Sequence, residues 1–262
     1  MPIGGEAVLL FKVILTPSLL GLVSLAGRRW GPAVSGWIIG LPLTSGPVSL
    51  FLAIDHGTAF AARAAEGSQL GLISLAAFCL TYSWLSVRIN WPVSILAGWS
   101  AFFALTFVLE FVSIPLFLSF LGVIICFFLV LHFLPKSQGL NIVTKPPQWE
   151  TPLRMLVAAA FVLILTGAAG VLGPQLSGLL TTFPVLATIL AIFSHHFHGA
   201  SAARILLRGL ISGAFSFAVF FLVIAGLIDR WGIVAAFVLA TLAALTMHGI
   251  SLFRMQRKSN AQ

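Results

Sequence analysis

Apolar runs of about 20 residues, separated by short polar or Gly/Pro-containing turns, recur along almost the whole chain. A helix needs about 20 apolar residues to cross a bilayer. The pattern predicts nine transmembrane helices, near 7–27, 32–54, 69–88, 91–109, 112–134, 153–172, 174–194, 210–228 and 232–253. One long polar stretch, PKSQGLNIVTKPPQWET, reads as a true linker. The expected organisation is a first membrane repeat (1–134), a cytoplasmic linker (135–152) and a second membrane repeat (153–262). The expected fold class is an all-α polytopic membrane protein with an inverted repeat of five plus four helices.

The repeat is read from a gapless shift of 142 positions, which lays Gly31–Phe78 over Gly173–Phe220 with 14 of 48 positions identical. Half of the identities are Gly or Pro, including Gly36/Gly178, Pro42/Pro184, Gly57/Gly199 and Gly71/Gly213. Those residues act on backbone shape rather than on oiliness, so they mark common ancestry better than shared Leu does. Five spans separate the two copies, an odd number, so the copies should cross the membrane in opposite directions. An internal repeat of that kind points to transport.

Composition agrees with a membrane setting. Hydrophobic residues make up 60% and charged residues 8% of the chain, where a soluble domain carries roughly 25% charged. With alternating spans, Arg28, Arg29, Arg88, Lys136, Lys145, Arg154, Arg204, Arg208, Arg254, Arg257 and Lys258 share one side and Arg63 and Arg230 the other. The positive-inside rule then puts the N-terminus outside and the C-terminus in the cytoplasm of a bacterial inner (plasma) membrane. The net charge of +8 reads as cytoplasmic loops facing anionic lipid, not as a nucleic-acid surface. The start, MPIGGEAVLLF, has no basic segment or cleavage site, so no removable signal peptide is expected. Cys79 and Cys126 sit in apolar runs and read as buried thiols.

Helices two and seven carry the candidate chemistry. Each opens G-P-x-x-S-G and meets a proline, Pro42 or Pro184, near mid-membrane. Proline there removes a main-chain hydrogen bond, and the freed groups need partners in protein or in a wet cavity. Gly40, Gly46 and Pro47 make the first copy the more broken of the two. Pro42, Thr44, Ser45, Thr181, Thr182 and Pro184 are therefore the expected substrate-binding residues. Half-helix N-termini facing that cavity would favour an anionic group.

Other polar groups are fewer. His195, His196 and His198 end the seventh span, and His195 and His198 share a face at metal-ligand spacing. A solvated interfacial role competes with that reading. His56 and His198 each precede a glycine and should end a span, with a gating role as the alternative. The Ala-rich stretches after them should form short interfacial helices. Lys12 and Arg154 coincide under the shift and either snorkel to headgroups or attract an anion. No carboxylate lies clearly mid-span; Glu110 comes nearest to a proton carrier. G-x-S-x-G, H-E-x-x-H and P-loop motifs are missing, so no enzyme and no cofactor are expected.

The stretch SGLLTTFPVLATILAIFSHHFHG, Ser177–Gly199, resembles the small GlpM-like bacterial inner-membrane proteins, which carry a similar small-Gly-Leu, Phe-Pro, Ala-x-Ile pattern. Those proteins are about one repeat long, so the resemblance implies duplication and fusion in an inner membrane. The leading expectation is a secondary transporter or exporter of a small solute, with anions among the candidates, working by alternating access. The alternatives are a non-transporting accessory or assembly protein and a divalent-metal carrier using the histidine cluster. Expected partners are the lipid bilayer, a small-molecule solute and, as an option, further copies of the chain, with no nucleic acid.

Overall fold

A computed structural model describes residues 5–135, 149, 151–157, 160 and 174–259. Most of the 135–152 linker, most of the span expected at 153–172, Gly173 and the Lys12 side chain lie outside the described residues. The helices are α1 (Gly5–Trp30), α2 (Pro32–Ile39), α3 (Ser45–His56), α4 (Thr58–Leu85), α5 (Trp91–Glu110), α6 (Leu116–Phe133), α7 (Pro174–Thr181), α8 (Val185–His198) and α9 (Ala200–Ser259). Residues 151–157 are also helical.

Five of the described stretches are long and apolar enough to cross a bilayer: Thr58–Leu85, Trp91–Glu110, Leu116–Phe133, Gly178–His198 and Ala200–Phe253. Their outward faces are as oily as the core. Phe107, Phe117, Leu118 and Phe128 stand exposed while Phe78, Tyr82, Phe102 and Phe127 are fully buried. Apolar side chains all round a helix suit lipid and not water. Among the described residues the fold is all-helical, and its several long apolar helices are compatible with a multi-pass membrane protein.

Ala200–Phe253 would be about 80 Å long as one rod, far more than a bilayer's thickness. Gly232, at φ 74° and ψ 175°, breaks it. Ser216 then meets His248, each 16 residues from that glycine, so α9 is a helical hairpin.

The helices α3 and α4 meet at Gly57 (φ 84°, ψ 172°) and α8 and α9 at Gly199 (φ 82°, ψ 170°). This backbone region is essentially reserved for glycine, because a Cβ there clashes with its own main chain. The expected interfacial helices after His56 and His198 do not form. Each Ala-rich stretch is instead the first turns of a long helix, so the spans begin at 58 and 200 rather than at 69 and 210. Alanine is used there for close approach: Ala61, Ala62, Ala64 and Ala65 are all buried.

Helix bounds repeat under the 142-residue shift. α2 and α7 match at both ends, α3 and α8 end on equivalent histidines, and α4 and α9 start on equivalent residues. Packing repeats as well, with the halves exchanged. A Cβ on Gly36 would run into the Leu206 carbonyl and lie 3.0 Å from the Leu210 nitrogen. A Cβ on Gly178 would run into the Ala64 carbonyl and lie 2.9 Å from the Ser68 nitrogen. Those four neighbours are themselves related by the shift. Gly71 likewise sits on Leu179 and Thr182, and Gly213 on Trp37 and Gly40. Small residues let helix backbones touch in this way.

The helix α4 and the first limb of α9 run antiparallel. Glu66, near the start of α4, feels the charge of Asp229 at the end of that limb. Tyr82, near the end of α4, bonds His195 just before the limb begins. Helix α6 packs against both of these central elements, with Phe127 and Phe128 meeting Phe215 of α9.

Candidate functional site

Both interruptions are built alike. In the first, the Gly40, Leu41, Leu43 and Gly46 amides donate to the Trp37, Ile38, Leu41 and Pro42 carbonyls. In the second, the equivalent Thr182, Phe183, Val185 and Thr188 amides donate to Leu179, Leu180, Phe183 and Pro184. Proline supplies no amide of its own, yet its carbonyl starts the next helix in both copies. The first break is the wider, with five residues between Ile39 and Ser45 against three between Thr181 and Val185.

The two breaks open on one cavity of about 30 Å³. That is room for roughly two water molecules. Its walls include Thr44, Ser45, Thr181, Thr182 and Pro184. Five of the six expected binding residues are thus brought together. Pro42 does not line the cavity; its ring packs beside Gly46 and it acts through its carbonyl. The walls come in shift-related pairs: Ile39 with Thr181, Leu41 with Phe183, Thr44 with Leu186, Ser45 with Ala187, and Leu75 with Phe217. No side chain charged at neutral pH lines it.

The wall hydroxyls differ in how far they are used. Thr181 Oγ1 donates to the Gly178 carbonyl (2.7 Å) and lies 2.8 Å from Ser68 Oγ. Thr182 Oγ1 donates to the Leu179 carbonyl (2.7 Å). Thr44 makes no capping bond at the start of α3. Trp99 closes the second break from outside, its indole N–H donating to Thr188 Oγ1 (3.2 Å), with Phe102 edge-on to Phe183 and Phe103 stacked on it.

The expected gating groups lie elsewhere. His56 is exposed and stacks on Phe60, while His198 ends α8. Arg154 does not snorkel to the surface. It is 7% exposed, donates to Ser24 Oγ of α1 (3.3 Å) and lies 5.0 Å over the Phe193 ring of α8. The histidine cluster splits: His195 Nδ1 is 3.0 Å from the Tyr82 hydroxyl, and His196 meets the edge of Trp91. Among the described residues no three His, Cys, Asp or Glu side chains are grouped to hold a metal.

Two polar pairs were missed by the sequence reading. Thr106 donates to Ser74 Oγ (3.0 Å), and Ser216 Oγ lies 3.1 Å from His248 Nδ1. They are the same pair under the shift. His248 is buried and stacks on Trp37 (ring centroids 3.7 Å apart), whose indole N–H donates to Ser251 (2.7 Å). Ser216 also reaches the Gly40 carbonyl (3.3 Å), tying His248 to the first break. The available signal was the shift itself, which continues past Phe78 and pairs Thr106 with His248. A second cavity, about 590 Å³, lies between α4 and the α5–α6 link, with Arg63, Glu66 and Ser113 among its walls. No family model, no curated protein and no solved structure matches this chain.

Proposed function

We propose that the chain is a secondary transporter or exporter of a small solute, built as an inverted repeat of five plus four helices in a bacterial inner membrane. The solute sits in the cavity between the α2–α3 and α7–α8 breaks. The observation that carries this reading is the convergence of both breaks on one cavity, with walls related by the shift. Ordinary proline kinks that serve packing have no reason to meet.

The reciprocal contacts of Gly36 and Gly178 are what a two-fold relation between the halves requires. The antiparallel run of α4 and its counterpart in α9 favours an axis lying in the membrane plane. Two similar halves of opposite orientation can exchange conformations, so a cavity open to one face has a near-equivalent state open to the other. Alternating access follows from that exchange. The basic residues favour an external N-terminus and a cytoplasmic C-terminus. The GlpM-like pattern in 177–199 fits an origin by duplication of a one-repeat ancestor.

Purified protein in liposomes, assayed for saturable flux over a panel of small anions, neutral metabolites and cations, tests the proposal. Flux above empty liposomes that falls at least tenfold in Ser45→Trp, which fills the cavity, is the expected result. No saturable flux for any member, together with a stoichiometric partner protein on purification, would favour the accessory reading instead.

A further inference from the structure

We propose that this cavity binds one small monovalent anion, held by main-chain amides at two facing helix N-termini; this rests on the transport reading above and names its substrate class. α3 and α8, 12 and 14 residues long, both begin in the cavity wall. Each helix start carries amides that its own helix cannot satisfy. Here the Gly46 and Thr188 amides reach the proline carbonyls, whereas among the described residues no hydrogen bond reaches the amides of Thr44, Ser45, Leu186 and Ala187. Those four form two shift-related pairs, one from each half.

A second observation points the same way. The Ser45 side chain is 3% exposed, belongs to the cavity wall, and its hydroxyl has no hydrogen-bond partner among the described residues. A hydroxyl in that position would normally cap its helix or bond back to the preceding turn. Left free inside a buried cavity, it is a donor waiting for an acceptor, since such groups are rarely unmatched.

Charge and size narrow the occupant. A helix N-terminus acts as roughly +0.5 of a charge and a C-terminus as roughly −0.5, and α2 and α7 end at the same cavity. The preference for an anion therefore comes from the free amides: the Trp37, Ile38, Leu179 and Leu180 carbonyls are already taken by turn amides. No carboxylate lines the cavity to hold a cation, and no Lys or Arg is there to over-neutralise an anion. At about 30 Å³, room for roughly two water molecules, the cavity matches a halide or a one-carbon carboxylate. The shared chemistry is a compact, monovalent hydrogen-bond acceptor.

The test uses the full chain in detergent micelles and in liposomes. Sodium fluoride, chloride, nitrate and formate are compared with gluconate, a much larger anion, at constant ionic strength. Thermal unfolding reports binding and an anion-selective electrode reports efflux. Wild type should be stabilised by at least one small anion over gluconate; stabilisation by halides alone identifies a halide site, and by formate a carboxylate site. Ser45→Asp places a tethered carboxylate at the α3 start and should abolish the anion-dependent shift. Ala187→Asp does the same from the other half, should Ser45→Asp not fold. Ser45→Ala should weaken the apparent affinity about 2- to 10-fold, the loss of one hydrogen bond. No small anion stabilising wild type over gluconate, or a full anion shift surviving in both Asp variants, overturns the proposal. Anion stabilisation without efflux would leave this site standing and remove transport. Efflux of a neutral or cationic solute, with no anion effect, would do the reverse.

Discussion

Replacing Gly36 or Gly178 by alanine tests the whole arrangement, because each adds one methyl group at the contact between the halves. On Gly36 the new carbon would lie 2.7 Å from the Leu206 carbonyl carbon, and on Gly178 2.8 Å from that of Ala64. Ordinary contact begins near 3.4 Å, so the helices must part by at least 0.7 Å (3.4 − 2.7) and 0.6 Å (3.4 − 2.8). The obstacle is main chain on a buried helix, which cannot swing aside. A gap of 0.5–1 Å forfeits about a quarter to a half of the dispersion attraction across it. Overpacking of this kind costs about 1–3 kcal/mol. The Cα–H groups now aimed at the two carbonyls add about 0.5–1 kcal/mol each. The expected loss is about 2–4 kcal/mol per variant, a large share of the roughly 5–15 kcal/mol that holds a domain folded. Gly122→Ala is the control, since nothing lies within 4 Å of its new methyl and alanine favours the helix by about 1 kcal/mol. Reversible unfolding in mixed micelles with rising SDS, followed by tryptophan fluorescence, gives the three values. Gly36→Ala and Gly178→Ala should agree within about 1 kcal/mol, because they break one contact made twice. Either variant behaving like Gly122→Ala would refute the close approach, and a large inequality would refute the two-fold relation.

Gly57→Ala and Gly199→Ala meet no neighbour within 4 Å, yet each should lose about 1–3 kcal/mol in the same assay through backbone strain alone. A neutral result would mean the two corners relax. Single cysteines at positions 56 and 198, in a Cys79→Ala, Cys126→Ala background, should react with a membrane-impermeant maleimide from opposite faces of oriented vesicles; labelling from one face would sink the inverted reading. His248→Ala removes a buried ring stacked on Trp37 and should cost about 2–4 kcal/mol, whereas its counterpart Thr106→Ala, which loses one hydrogen bond, should cost about 1 kcal/mol. Equal losses would show that the stacking contributes nothing.

Backbone punctuation was the legible part. Gly31–Pro32, Pro42 and Gly57, with Pro174, Pro184 and Gly199 in the second copy, mark where helices start, break and turn, and the two breaks meet in one cavity. Composition alone was enough for the membrane. The lengths of α4 and α9 were not legible. An Ala-rich run carrying Arg63 and Glu66, or Arg204 and Arg208, has the amphiphilic look of an interfacial helix. Local periodicity cannot reveal that alanine is placed there to let two backbones touch. The Tyr82–His195 and Ser216–His248 bonds escaped for a related reason. Both join residues far apart in the chain, and a lone His near a span end carries no sign of which helix it will face. Only the shift, pursued beyond the obvious match, linked His248 to a polar partner.

In the proposed two-half arrangement the main chain and the side chains have different tasks. The amides at the starts of α3 and α8 are alike in both halves, since the backbone bonds around both prolines are the same. The hydroxyls are not. Thr44 and Ser45 face the cavity from the first half where the second has Leu186 and Ala187; Thr181 and Thr182 face it from the second where the first has Ile39 and Gly40. A symmetric pair of helix starts can hold charge but cannot orient a ligand. Hydroxyls placed on one side at each end can. Affinity for charge should therefore follow changes at the helix starts. Discrimination among ligands of equal charge should follow the Ser45 hydroxyl, whose proton is free to donate, since Thr181 and Thr182 already give theirs to the Gly178 and Leu179 carbonyls. A transporter made of two identical unfused copies could not separate these functions, because any hydroxyl added at one end would appear at the other.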